Sequence, residues 1–220
     1  MTELLTETVT PGQFAIKTEA ESEFEAVTKE KVNSILKASS KKEYTFEEVY
    51  ILNSKGGRYE LVDGRLIEKM GANFSHGQII LKLGGQLQAY TEAQDLGNVS
   101  TDAGYILRRL PKRLLRFPDI SFVTKSRMPA EGVPIKGYWE FVPDLAIEVV
   151  SAFDLMNDVF ELAGQYIEVG VKEVWLIVPA AQTVTIFRSF EEQRLLTLRD
   201  KLEGGEMLKG FEIAVQQLFA

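Results

Sequence analysis

Apolar positions change their period along the chain, and each change marks an element. Residues 1 to about 20 carry Thr, Glu, Pro and Gly without a period and read as a loosely docked tail. From Ser22 to Leu36, Phe24, Val27, Val32, Ile35 and Leu36 recur at roughly helical spacing among acids and lysines, which predicts a surface helix. Lys37 to Glu43 is polar and reads as a linker, which sets a boundary between residues 1–43 and a domain over 44–220. Thr45 offers an N-cap for a short helix through Phe46, Val49 and Tyr50.

Arg58 to Met70, RYELVDGRLIEKM, places two alternating runs around Asp63-Gly64, the pair favoured in two-residue hairpin turns. Ser75 to Tyr90 carries Ile79, Ile80, Leu83, Leu87 and Tyr90 on one helical stripe, with Ser75 as the expected N-cap. Asn98–Leu107 and Arg116–Val123 read as strands. Asp144–Val150, DLAIEVV, is apolar except for one glutamate, the signature of a strand buried on both faces. Asp154–Val169 reads as a helix ended by Gly170, Glu173–Val178 as a second buried strand and Thr183–Arg188 as its neighbour. One more strand and a short closing segment are expected up to Ala220. The strand–helix–strand run implies a parallel crossover, and the hairpin adds antiparallel pairing. The predicted fold is therefore α/β (α+β), a mixed central sheet flanked by helices, with an N-terminal hairpin and helix.

Composition narrows the chemistry. The chain has 220 residues, 45% hydrophobic and 26% charged, and no apolar run near the length of a membrane helix. No signal sequence precedes the domain, so a soluble, cytoplasmic protein is expected. Cysteine is absent, which excludes disulfides, thiolate metal sites and cysteine nucleophiles. One histidine, His76, excludes a multi-histidine zinc site. The net charge of -7 counts mildly against strong non-specific DNA binding but leaves room for a local basic patch. Oxygen-ligand metal chemistry is the natural remainder.

Glu148 stands out within L-A-I-E-V-V. An ionised carboxylate in an apolar strand needs a partner, a metal or a cleft. Asp119 sits similarly in F-P-D-I-S-F, where Pro118 is expected to start the strand. Two readings remain open on physics alone. The acids share a divalent ion that activates water against a phosphodiester, or Glu148 pairs with a buried arginine while Asp119 caps a turn.

The segments YELVDGRLIEKM, His76-Gly77, RFPDISFV, PDLAIEVVS and QYIEVGVKEVWLIVP, in that order, resemble the Uma-type family of putative restriction endonucleases, in the PD-(D/E)XK nuclease superfamily. The resemblance runs from about Tyr44 to Arg188. It implies a restriction endonuclease-like fold and Mg²⁺- or Mn²⁺-dependent DNA cleavage, with Asp119 and Glu148 as metal-binding acids and Glu60 completing the site. It also implies a homodimer, since a two-strand cut needs two sites. The superfamily's lysine would fall at Val150, or in this family on the following helix at Leu162. Neither is a lysine, so Gln165, one turn on, is the expected polar substitute, while Lys172 is less well placed. A catalytically degenerate protein that binds nucleic acid or a partner is the alternative.

Arg108, Arg109, Lys112, Arg113 and Arg116 cluster just before Asp119. They read either as a hairpin holding phosphate or as a solvated tip turned by Pro111. His76 reads either as a residue that contacts substrate or orders a carboxylate, or as a helix-start residue facing solvent or satisfying backbone. Tyr138, Trp139 and Trp175 are expected to pack in the core or hairpin.

Overall fold

The computed structural model describes residues 43–69, 73–129, 132, 137–151 and 154–220. The predicted tail, the Ser22–Leu36 helix and nearly all of the linker lie outside the described residues. Glu43–Ala220 forms one compact unit. No helix among the described residues is long and apolar enough to cross a membrane.

Helix α1 (Phe46–Asn53) opens as expected at Thr45, whose hydroxyl accepts from the Glu48 amide while the Glu48 carboxylate accepts from the Thr45 amide. Strands β1 (Tyr59–Val62) and β2 (Arg65–Glu68) follow as an antiparallel hairpin. Asp63 and Gly64 both take positive φ, 50° and 81°, the backbone that a two-residue turn with matching twist requires.

Helix α2 (Phe74–Ala93) starts earlier than predicted, because Asn73 and not Ser75 caps it by accepting from the His76 amide. The predicted strand Asn98–Leu107 is two strands, β3 (Gly97–Thr101) and β4 (Tyr105–Arg108), broken at Asp102 with φ 53°. The predicted strand Arg116–Val123 also divides, into β5 (Leu114–Arg116) and β6 (Ile120–Thr124). Pro118 has no N–H for a ladder, so it breaks the run rather than starting a strand, and the chain passes there from one sheet to another.

Strand β7 (Leu145–Val149), helix α3 (Met156–Glu168) and strand β8 (Glu173–Val178) form the expected unit, with β7 and β8 parallel. Gly170, at φ 99°, ends the helix. Strand β9 (Thr183–Phe187) pairs antiparallel with β8. The C-terminal part holds more than the one predicted strand: β10 (Gln193–Leu196), β11 (Lys201–Glu203), β12 (Glu212–Ala214) and helix α4 (Val215–Phe219).

A six-stranded mixed sheet runs in the order β10-β9-β8-β7-β6-β3, beside a four-stranded sheet β2-β1-β5-β4 and the pair β11-β12. The central strands are covered on both faces, and their alternation decides which side chain meets which helix. Leu145, Ile147 and Val149 of β7, with Trp175 and Ile177 of β8, pack on Ile79, Leu83 and Leu87 of α2. Ala146 and Val150, with Val174 and Leu176, pack on Val159, Ala163 and Tyr166 of α3. Position 148 shares the parity of 146 and 150, which turns Glu148 toward α3.

Candidate active site

Five separate places in the chain bring ionisable groups to one cavity of about 460 Å³. Strand β1 contributes Glu60, the residue after β2 contributes Lys69, the first turn of α2 contributes His76, and β7 contributes Glu148. Asp119 comes from the crossing just before β6. Glu60, Asp119 and Glu148 are all buried. Solitary ionised carboxylates are not tolerated at such positions, so their partners define the site.

Asp119 is the most firmly held. Its Oδ2 accepts from the Val149 amide at 2.8 Å and stands 3.1 Å from Nε2 of His76. Nδ1 of His76 is buried without a hydrogen-bond partner, so Nε2 is the ring nitrogen engaged, toward Asp119. Burial alone would raise the Asp119 pKa. The His76 hydrogen bond, the Lys69 charge and the Val149 amide outweigh it and hold the carboxyl below its usual range.

Glu148 is different. Its Oε1 accepts from the Tyr166 hydroxyl at 2.7 Å, an encounter set by the shared strand parity and α3. Burial in the sheet pushes its carboxyl well above the ordinary glutamate value. Asp119 and Glu60 add to that, against the opposing pull of Lys69 and Tyr166. Tyr166 is itself raised by burial and by the neighbouring carboxylates, so it remains a proton donor to Glu148.

Glu60 has both oxygens engaged. Oε2 accepts from Arg116 at 2.6 Å and Oε1 from the Phe117 amide at 2.9 Å. It anchors the crossing segment that carries Asp119.

Lys69 is the residue that sequence reasoning missed. Its Nζ donates to the Phe117 carbonyl at 2.7 Å and lies 3.7 Å from Asp119 Oδ1, 4.0 Å from Glu60 Oε1 and 4.0 Å from Glu148 Oε2. Burial disfavours its ammonium, yet the three carboxylates together raise its pKa above the ordinary lysine value. Leu162, where the resemblance looked for the cation, lines the same cavity with an apolar side chain. The only local hint was a Glu-Lys pair ending an alternating strand, a pattern that usually marks a solvated edge.

Two expectations are corrected. Gln165 does not line this cavity: its Oε1 accepts from both Arg116 Nε and Nη2, at 3.2 and 2.6 Å, and its amide donates to Glu161. It buttresses an arginine rather than standing in for a lysine. Nor do the hairpin cations form a free basic patch. Arg116 is buried and held by Glu60 and Gln165. Arg108 and Lys112 both pair with Asp63, at 2.8 and 2.9 Å, Arg109 pairs with Glu140, and Arg113 with Glu43 at 3.2 Å. Four tip cations thus face three acids, because Arg108 and Lys112 share Asp63, and the tip keeps one net positive charge. Tyr138 and Trp139 pack as expected, Tyr138 edge-on to Tyr50 and Phe117, and Trp139 against Tyr105 and Phe141.

As arranged, no group of three or more His, Asp or Glu among the described residues is set to hold a metal ion. The donor chemistry still suits a hard cation. Asp119 Oδ1 and Glu148 Oε2 both face the same position, now next to an ammonium, and two carboxylates are a usual protein share of a Mg²⁺ shell.

Comparison with known proteins agrees with this fold. The Uma2 family, described as "Putative restriction endonuclease", matches residues 45–216. Among solved structures, that of a putative nuclease belonging to DUF820 from Anabaena variabilis ATCC 29413 superposes with a TM-score of 0.69 at 20% identity, covering 80% of this chain and 97% of that one. A search of curated proteins finds no match.

Proposed function

The chain belongs to the Uma2 family, and from that premise and the geometry above we propose that it is a divalent-metal-dependent endonuclease hydrolysing phosphodiester bonds in DNA. The observation that carries this reading is the convergence of Asp119, from the crossing before β6, and Glu148, from β7, on one cation position at the wall of an open cavity. Buried acids of opposite pKa shift, side by side in a cleft, are an arrangement that hydrolytic sites use.

In this reading Asp119 and Glu148 hold Mg²⁺ or Mn²⁺. The bound ion supplies Lewis acidity and a water of lowered pKa at the phosphate. The rest is done by the chain. His76 and the Val149 amide fix the Asp119 carboxylate, so that Oδ1 stays turned to the cavity. Tyr166 fixes Glu148 in the same way and leaves Oε2 available. Glu60, through Arg116 and the Phe117 amide, holds the segment that aims Asp119. A homodimer in the cytoplasm is part of the proposal, because two cuts in a duplex need two such sites; sedimentation with and without DNA tests it.

The decisive experiment is incubation of supercoiled plasmid with the purified protein and Mg²⁺ or Mn²⁺. Nicking that Asp119→Ala and Glu148→Ala abolish is expected. Nicking that survives Asp119→Ala overturns the assignment. A folded wild type that binds DNA but never cuts it favours the non-cleaving reading.

A further inference from the structure

An ammonium at the focus of three carboxylates is more than a neighbour to a metal site. The Lys69 contacts to Glu60, Asp119 and Glu148, at 3.7 to 4.0 Å, are charge contacts too long for hydrogen bonds. Among the described residues its ammonium makes one hydrogen bond, to the Phe117 carbonyl. The lysine is thus held among the acids by their summed field rather than by any one of them. Lys69 and Arg116 offset two negative charges of the cluster, and without Lys69 it would be one charge more negative whatever the protonation of Glu148. Arg116 cannot leave, since its guanidinium is committed to Glu60 and Gln165. Lys69 can, because a lysine is a point charge on a flexible four-carbon stem. Its side chain is about a quarter exposed, at 24%. The same cavity is lined by Glu68, Asp154, Asp158 and Glu161, which can receive it nearer the mouth.

We infer that Lys69 is a tethered counter-ion: it holds Asp119 and Glu148 in the ion-free protein, and a divalent cation must displace its ammonium from between them to bind. Residue 69 then sets the affinity of the site for the metal. An ammonium supports the carboxylates but has no vacant orbital with which to act as a Lewis acid on a phosphate or a water, so the ion-free site is stable and idle. This inference rests on the metal-dependent reading above.

Mn²⁺ titration calorimetry on the stripped full-length protein tests it, with wild type, Lys69→Met, Lys69→Gln and Lys69→Arg, alongside thermal unfolding with and without Mn²⁺. Both neutral variants are expected to bind Mn²⁺ at least tenfold tighter than wild type. They should unfold at lower temperature without the ion and be raised more by it. Lys69→Arg, which keeps the charge, should stay within threefold of wild type. Lys69→Gln retains a donor for the Phe117 carbonyl and covers the case in which Lys69→Met fails to fold. Equal or weaker Mn²⁺ affinity in the folded neutral variants, with wild-type binding that Asp119→Ala abolishes, overturns the role of Lys69 and leaves the metal site standing. Absence of Mn²⁺ binding in wild type and all variants overturns both.

Discussion

The Asp119 carboxylate is stapled to the strand that carries Glu148: its Oδ2 accepts the Val149 amide at 2.8 Å. The amide of the residue after one acid therefore fixes the other acid, so the two cannot drift apart without breaking a buried bond. His76 supplies the second donor to the same oxygen. Its removal should reorient Asp119 without releasing it. His76→Ala is expected to lower metal affinity and nicking by roughly 10- to 100-fold, as loss of a partner behind a metal ligand does, while denaturation midpoints change little. A drop in stability as large as the drop in activity would show that His76 serves the fold instead.

Tyr166 occupies the corresponding place behind Glu148. It is fully buried, and its hydroxyl is the hydrogen-bond donor to Oε1. Tyr166→Phe keeps the ring in the α3 core and leaves the carboxyl short of a donor. Urea unfolding should show a loss of about 1–3 kcal/mol, the cost of an unsatisfied buried polar group. A variant as stable as wild type would mean that Glu148 finds another partner in solution.

Much of this arrangement could be read from the sequence where it depends on local pattern. The Thr45 cap, the Asp63-Gly64 turn, β7, β8 and the acids at 119 and 148 follow from capping chemistry, turn residues and the cost of charge in apolar strands. The Uma2 match bears out the family and the fold. What sequence left hidden depends on pairing across the chain. The partners of the hairpin cations are 31 to 70 residues away, so their pairing has no local sign. Lys69 reads as a solvated edge residue until the β1–β2 register and the crossing at Pro118 set it under the Phe117 carbonyl. The split of two predicted strands has the same origin: an alternating run looks continuous even when its ends belong to different sheets.

The paired hairpin cations give a test of how DNA is held. Arg109, Lys112 and Arg113 each already have an acidic partner, and these pairs are largely exposed. Replacing all three with alanine should leave the denaturation midpoint nearly unchanged, as for exposed ion pairs in general. Duplex affinity should change less than threefold. A residue that neutralised phosphate would instead lower the slope of log affinity against log salt by roughly one. A slope that falls by about three in the triple variant would restore the hairpin as a phosphate-binding element.

Acid sensitivity should have a source outside the site as well, at Asp144. This residue is fully buried just before β7 and accepts from the Thr124 amide at 2.8 Å, from the Thr124 hydroxyl at 3.0 Å, and from Arg127 and Lys172 at 2.7 Å each. Burial opposes ionisation, but the Lys172, Thr124 and Arg127 contacts hold the carboxyl below its ordinary value of 3.8. A depressed folded-state pKa means the unfolded chain takes up the proton first as pH falls. The contribution of Asp144 is therefore complete above the ordinary value and lost as pH drops through the folded one. Asp144→Asn removes it at every pH. Breaking a buried pair costs roughly 3–5 kcal/mol; Arg127 and Lys172 are part exposed and can turn to water, so about 2 kcal/mol is expected at pH 7. The gap between wild type and Asp144→Asn should close as pH falls below about 4. A gap that stays constant from pH 7 to pH 3 would assign the acid lability to other carboxylates, with the Asp144 cluster stabilising through packing and hydrogen bonds rather than charge.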